Sequence, residues 1–278
     1  MPRRKGAMSK SSMFFLSIFI LSFATFAQAG PLTEEHVLGG LPSNGTVLER
    51  NAYVVEYDTV HKAPRWLAYH LVPGYRDVPK RTGKWATYRN DPDLTEEPSD
   101  NDYSGVFQDE IRNYAHGHLA PYFISGGDRD GDGKLAEEDT DDKETVYQIN
   151  YQTNLTPQHH NAFNGSGGVW YELETRIRED LLNEHGELWV FVGTIFGPGS
   201  YDVVGDNVHV APLFFQIVAW KDENGAPQWE AYLLPHHQKA HGDPEDYLVS
   251  VRHIEALTGL NFFPDFDLQN LKRKSTAK

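Results

Sequence analysis

The chain has 278 residues, 39% of them hydrophobic and 13% aromatic, enough apolar material for one sizeable core and too little length to demand a second. It contains no cysteine, which excludes disulfides and a lipid carried on an amino-terminal cysteine. A formal net charge of −15 excludes long-range attraction of polyanions by the molecule as a whole, so any such site must be a local basic patch.

The first 29 residues read as an address. Arg3, Arg4 and Lys5 precede an apolar run from Phe14 to Phe26 and the small-residue site Ala27-Gln28-Ala29, the pattern of a cleavable signal peptide over 1–29. The run is too short for the ~20 residues that span a bilayer, so no membrane partner is expected. Cleavage near Ala29 would give a secreted or periplasmic domain over 30–278, and loss of Arg3, Arg4, Lys5 and Lys10 would take the net charge from −15 to −19.

Tyr53–Tyr57 and Trp66–Leu71 are aromatic and β-branched strands joined in a hairpin by a turn around Lys62-Ala63-Pro64. Lys80, Arg81, Lys84 and Arg89 then fall within ten residues beside Trp85 and Tyr88, the one candidate basic patch in an acidic chain. Residues 90–102 are a polar loop, and Tyr103–Arg112 is read as a short helix. Residues 125–144 hold almost nothing apolar and form an excursion from the core. Val169, Trp170, Leu173, Ile177 and Leu181 recur at intervals of three and four, which predicts a helix over 169–182 with one buried face. Leu188–Val192, Leu213–Trp220 and Trp229–Leu234 read as strands, and Ser250–Leu257 as a helix stopped by Gly259. No βαβ rhythm runs through these elements, so the class is α+β, one domain with a central antiparallel sheet and flanking helices.

The chemistry gathers between residues 114 and 178. Tyr114-Ala115-His116-Gly117-His118-Leu119-Ala120-Pro121 is followed by Asn154-Leu155-Thr156-Pro157-Gln158, then Phe163-Asn164, then Trp170, Leu173, Glu174 and Arg178. In order and number these resemble the DNA/RNA non-specific endonuclease family, with its pattern D-R-G-H-x-A-P, S-N-x-x-P-Q, F-N and W-x-x-L-E followed by Arg one turn on. The likeness extends from Tyr53 to Leu257-Thr258-Gly259-Leu260. It implies a ββα-metal finger and a metal-dependent endonuclease acting on DNA and RNA.

Carried over by position, His118 is the general base for the attacking water, a role suited to a neutral imidazole. Asn164, with Asn161 in reserve, would be the direct ligand of Mg²⁺ or Mn²⁺. Glu174 would hold metal-bound water, Arg178 would support charge on the phosphate, and Asn154 would brace the site. Arg81, with Lys84 and Arg89, is the candidate for substrate phosphates. Ala115 and His116 stand where the family has Asp and Arg, and His116, if protonated, would replace part of the lost cation and favour mildly acidic conditions. The same replacements leave a second reading, a catalytically weakened binding module on this fold.

A second metal is expected at 128–139. Asp128, Asp130, Asp132 and Asp139 take positions 1, 3, 5 and 12 of an EF-hand-type calcium loop, with Gly133 at 6 and the Lys134 carbonyl at 7. Position 12 is Asp rather than Glu, and the preceding Gly-rich segment is too short for an entering helix, closer to dockerin-type loops. Ca²⁺ there would brace the segments around His118 and Asn154.

Overall fold

The structure, a computed structural model, describes residues 30–266; the leader read over 1–29 lies outside the described residues. The elements in chain order are α1 (Pro31–His36), β1 (Leu48–Arg50), β2 (Tyr53–Asp58), β3 (Ala63–Leu71), β4 (Tyr114–His118), α2 (Asp141–Gln148), β5 (Leu155–His159), α3 (Val169–Arg176), α4 (Leu182–His185), β6 (Leu188–Ile195), β7 (Val203–Val204), β8 (Val208–His209), β9 (Leu213–Lys221), β10 (Pro227–Pro235) and α5 (Val251–Thr258). No helix among the described residues is long and apolar enough to cross a membrane.

Six strands form one sheet in the order β1-β2-β3-β6-β9-β10, antiparallel at every junction. Both faces are covered, which is why β6 reads as an unbroken apolar run instead of alternating. Leu188, Val190 and Val192 pack with Phe163, Trp170, Leu173 and Ile177 on one face. Trp189, Phe191 and Ile195 pack with Val251, Ile254, Phe262 and Phe263 on the other. This split follows the period of two along a strand.

The helix predicted over 169–182 is present and longer. α3 and α4 are joined through a π turn at Ile177–Leu181, and Trp170, Leu173 and Ile177 are fully buried. At about 1.5–3 kcal/mol for each large apolar side chain removed from water, packing rather than intrinsic propensity holds this helix. α5 is capped as read: the Ser250 hydroxyl accepts from the His253 amide and Gly259 turns left-handed at φ 69°.

Three expectations are corrected. Pro64 lies in β3, not in the hairpin turn; it pairs with Tyr57 at a register shift between Glu56 and Tyr57, where a strand tolerates a missing N–H. Residues 103–112 are not a helix. Asp109 Oδ1 accepts from the amides of Ile111 and Arg112, and these local bonds compete with helical ones. Residues 125–144 are tied to the core: α2 begins at Asp141 with Asp141, Asp142 and Glu144 in its first turn, a favourable charge placement, and Ala136 packs with Val146 and Trp85.

Candidate active site

A two-stranded ribbon apart from the main sheet carries the site. β4 pairs antiparallel with β5 in the register Ala115↔Gln158, Gly117↔Thr156, His118↔Leu155. A π turn at His160–Asn164 leads on to α3, and β4, β5, this turn and α3 pack in succession. The result is a ββα finger.

His118 is buried at the end of β4. Its Nε2 meets the Asn150 side-chain oxygen at 3.3 Å, while the Asn150 Nδ2 donates to the carbonyls of Trp85 and Val146. Those two bonds fix which way the amide points, so Nε2 carries the hydrogen and Nδ1 keeps the lone pair. Burial, with the Arg81 charge nearby, holds the imidazole well below the ordinary histidine range. It is therefore neutral and able to accept a proton.

Gly117 is required by a close approach: a β-carbon there would run into the side chain of Gln158. Gln158 Oε1 in turn accepts from Nδ2 of Asn164. The amide nitrogen of Asn164 is thus tied back, leaving Oδ1 as the free donor to a hard cation. Asn161 is exposed on the same turn and has no such brace.

Glu174 is half-buried and accepts from Trp170 Nε1 at 2.9 Å. Burial lifts its carboxyl to about 7, against the lowering effects of that bond and of Arg178. A carboxylate so far from its ordinary range is poised for a cation to ionise it. Arg178 lies over the Phe123 ring at 4.9 Å and pairs with Glu179 at 2.7 Å. Asn154 is fully buried and purely a brace. Its side chain donates to the carbonyls of Ala120 and Ile149 and accepts from the Ala120 amide, pinning the exit of β4 to the exit of α2.

The surroundings of His116 disfavour the charge expected of it. It is stacked between Tyr88, at 4.1 Å between centroids, and Tyr103, at 3.8 Å. Burial, with Arg81 adding to it, lowers its pKa to about 4, which disfavours the charged form even with the Asp100 carboxylate 3.8 Å from Nε2.

Arg81 is the charge that bears on both histidines of β4. Its guanidinium donates to the Tyr88 hydroxyl and lies over the rings of Tyr88 and Tyr122. It is close enough to depress both His116 and His118. Among the described residues no carboxylate lies within 4 Å of Lys80, Arg81, Lys84 or Arg89, whereas Arg50, Arg65, Arg112, Arg176 and Arg178 are all paired. That stretch therefore stands unneutralised in an acidic chain. Lys84 rests on Trp85. Arg89 is turned inward, donating to the carbonyls of Thr87 and Lys84 over the Tyr147 ring, and so holds the patch in shape.

At the second expected metal site, Asp128, Asp130 and Asp132 bring oxygens within 4.8 Å of one another. Lys134 pairs its side chain with Asp132. Asp139 is not in that group: it accepts from the Asp142 amide at the start of α2.

The finger, the His and Asn at its ends and the order of motifs along the chain are matched elsewhere. The pattern of the DNA/RNA non-specific endonucleases fits residues 33–269. The chain belongs to that family. It is 28% identical over 260 residues to the mitochondrial nuclease EXOG of Danio rerio, covering 86% of this chain and 67% of that one. It is 24% identical over 273 residues to the nuclease of Serratia marcescens, covering 93% of each. The fold matches a chain of the crystallised EndoG/EndoGI complex with a TM-score of 0.69 at 19% identity, over 89% of this chain and 97% of that one. Family membership makes the chain a metal-dependent endonuclease whose substrates are DNA and RNA. The site's departures from the family pattern, Ala115 and His116, leave the His118, Asn164 and Glu174 positions intact.

Two contributors could not be read from the motifs. Asn150 orients His118 from four residues before Asn154, in a stretch with no signal of its own. Tyr103 reaches His116 from a loop that the sequence pattern made a helix.

Arg81→Ala is expected to raise KM about tenfold with little change in kcat, and to make the slope of log(kcat/KM) against log[salt] shallower by about one, as for loss of one phosphate contact. His116→Arg should steepen that slope. Steady-state kinetics between 50 and 200 mM salt check both.

Proposed function

We propose that this chain is a secreted endonuclease that hydrolyses phosphodiester bonds within DNA and RNA at His118, using Mg²⁺ held by Asn164. The observation that carries the reading is the pair of oriented amides: Asn150 leaves one imidazole nitrogen basic, and Gln158 leaves the Asn164 oxygen free.

The donor set fits a hard divalent ion, one amide oxygen with a nearby carboxylate of raised pKa and no soft ligand. Bound there, Mg²⁺ would supply Lewis-acid neutralisation of the scissile phosphate. The chain's own residues do the rest. His118 Nδ1 takes the proton of the attacking water, Glu174 orients solvent beside Asn164, and Arg81 holds a substrate phosphate beside the base. Arg178 contributes positive charge near Glu174. Asn154 positions without touching substrate. Ca²⁺ in the 128–139 loop belongs to the same reading as a structural ion. Secretion rests on the leader over 1–29 and the domain beginning at Gly30; the relatives named mitochondrial show that this fold is also sent elsewhere.

Nicking of supercoiled plasmid by the chain from Gly30 tests the proposal. Activity with Mg²⁺, none with EDTA, and at least a 100-fold loss in Asn164→Ala are expected, the last on the scale of removing a site's electrostatic stabilisation. Equal rates with and without divalent metal would refute it. Amino-terminal sequencing of exported protein checks the leader.

A further inference from the structure

The calcium loop and the nuclease site are physically continuous. We propose that the loop binds Ca²⁺ through Asp128, Asp130 and Asp132, whose oxygens already lie close together, with the buried carboxylate of Asp142 facing the loop behind them, and that the ion, acting through α2, sets the positions of both His118 and the basic segment. The effect on catalysis rests on the nuclease reading above; the site and the movement of His118 do not.

Three exposed carboxylates in a turn are not by themselves a cation site. Asp142 is the independent observation. It is 3% exposed, one carboxylate oxygen accepts from the amide of Arg129 inside the loop, and the other is buried with no partner. The charges of Asp139, Asp130 and Asp128 all bear on it. The only cationic side chain in the loop besides the inward-turned Arg129 is Lys134, already paired with Asp132. A buried, unpaired carboxylate oxygen pressed by like charges is costly, and an oxygen-seeking cation removes that cost. Ca²⁺ suits the place better than Mg²⁺, because it accepts irregular shells of carboxylate, carbonyl and water oxygens. Asp139, the position expected from the loop pattern, instead steadies the first turn of α2.

The connection to the site runs through contacts already in place. Arg129 extends inward from the loop to the carbonyls of Asn51 and Ile124 and lies 3.8 Å from the Tyr75 ring centroid. Asn51 also bonds Thr145 and Gln148 of α2. Ala136 of the loop packs with Val146 of α2 and Trp85 of the basic segment. At the far end of α2, Asn150 bonds the Val146 carbonyl, the Trp85 carbonyl and His118. Loop, helix, patch and base therefore share one small packed unit, and fixing the loop fixes the end that carries Asn150.

Calorimetric titration of the metal-stripped chain with CaCl₂ should give one site that a tenfold excess of MgCl₂ does not displace. Asp130→Asn should abolish the heat. Asp142→Asn should weaken binding at least tenfold while raising the melting temperature of the calcium-free protein, since it removes an unpaired buried charge. Asn164→Ala should bind Ca²⁺ as wild type does. Calcium should shift the His118 ring resonances in wild type but not in Asn150→Ala, and should raise Mg²⁺-supported kcat roughly tenfold, an ordinary coupling between two sites. No calcium heat in wild type, or undiminished binding by Asp142→Asn, overturns the site. Binding that leaves the His118 resonances and kcat unmoved overturns the coupling. Calcium binding and shifted His118 resonances in a chain that cleaves no nucleic acid with any metal would uphold this inference and sink the nuclease reading alone.

Discussion

His118→Ala is expected to lower kcat by about 10³-fold, within the 10²–10⁴ range for a positioned general base, with KM for long DNA nearly unchanged. The split follows from position. On the proposed reading phosphate affinity comes from the cations of the 80–84 segment, whereas His118 is buried at the end of β4 and held by Asn150. Asn150→Ala should reproduce part of the loss, roughly tenfold, because the ring remains but its tautomer and angle are no longer specified. Asn150→Asp should also lose activity: a carboxylate beside Nε2 would favour the imidazolium, raise the pKa of the base, and move the acidic limb of the pH–rate profile upward. A profile for Asn150→Asp that superimposes on wild type would show that the 3.3 Å contact does not set the proton affinity of His118. Single-turnover measurements separate the chemical step from release.

The legible parts of this protein are those in which a local rule and the tertiary outcome agree. The helix over 169–182 announced itself because its buried face repeats at three and four residues, and α5 because Ser250 and Gly259 mark its ends. The ββα finger that carries His118, Asn154, Asn164 and Glu174 was legible only through the order of these residues along the chain; their roles stand as the proposal above. α2 was not, since its apolar content is slight and its burial comes from Val146 meeting Trp85 and Ala136, residues distant in sequence. The helix expected at 103–112 failed because Asp109 offers the backbone a competing set of bonds. The surroundings of His116 were hidden for a related reason: they include two tyrosines brought to it from distant parts of the sequence. The order of strands in the sheet, likewise, is a property of long-range pairing that spacing does not reveal.

Stability should fall steeply as pH drops from 6.5 to about 4.5. His36 and His116 are held down to about 4 and His236 to about 3, chiefly by burial, and His118 is lowered in the same way. Each is neutral in the folded chain and protonates near 6.5 once unfolded, so below 6.5 the unfolded state binds the extra protons and acid favours it. Two carboxyls act oppositely. Glu97 and Glu174 are raised to about 7 by burial, so the folded state binds their protons first and acid stabilises them down to the unfolded value of 4.5. His159 and His209 are lowered by burial as well, so at least four histidines stand against two glutamates and unfolding takes up at least about two protons, a slope on the order of 2–3 kcal/mol per pH unit. Over two units that approaches the whole stability of an ordinary domain. Urea midpoints at pH 7, 6, 5 and 4.5 measure the slope. His236→Gln isolates one contributor: His236 donates from Nδ1 to the Ala211 carbonyl and accepts from the His159 amide at Nε2, and a glutamine amide can do both without titrating. That variant should flatten the slope by about one proton. Stability that is level between pH 6.5 and 4.5 would mean the buried imidazoles protonate in place, and His118 would then lose its neutrality, and its role as base, in the same range.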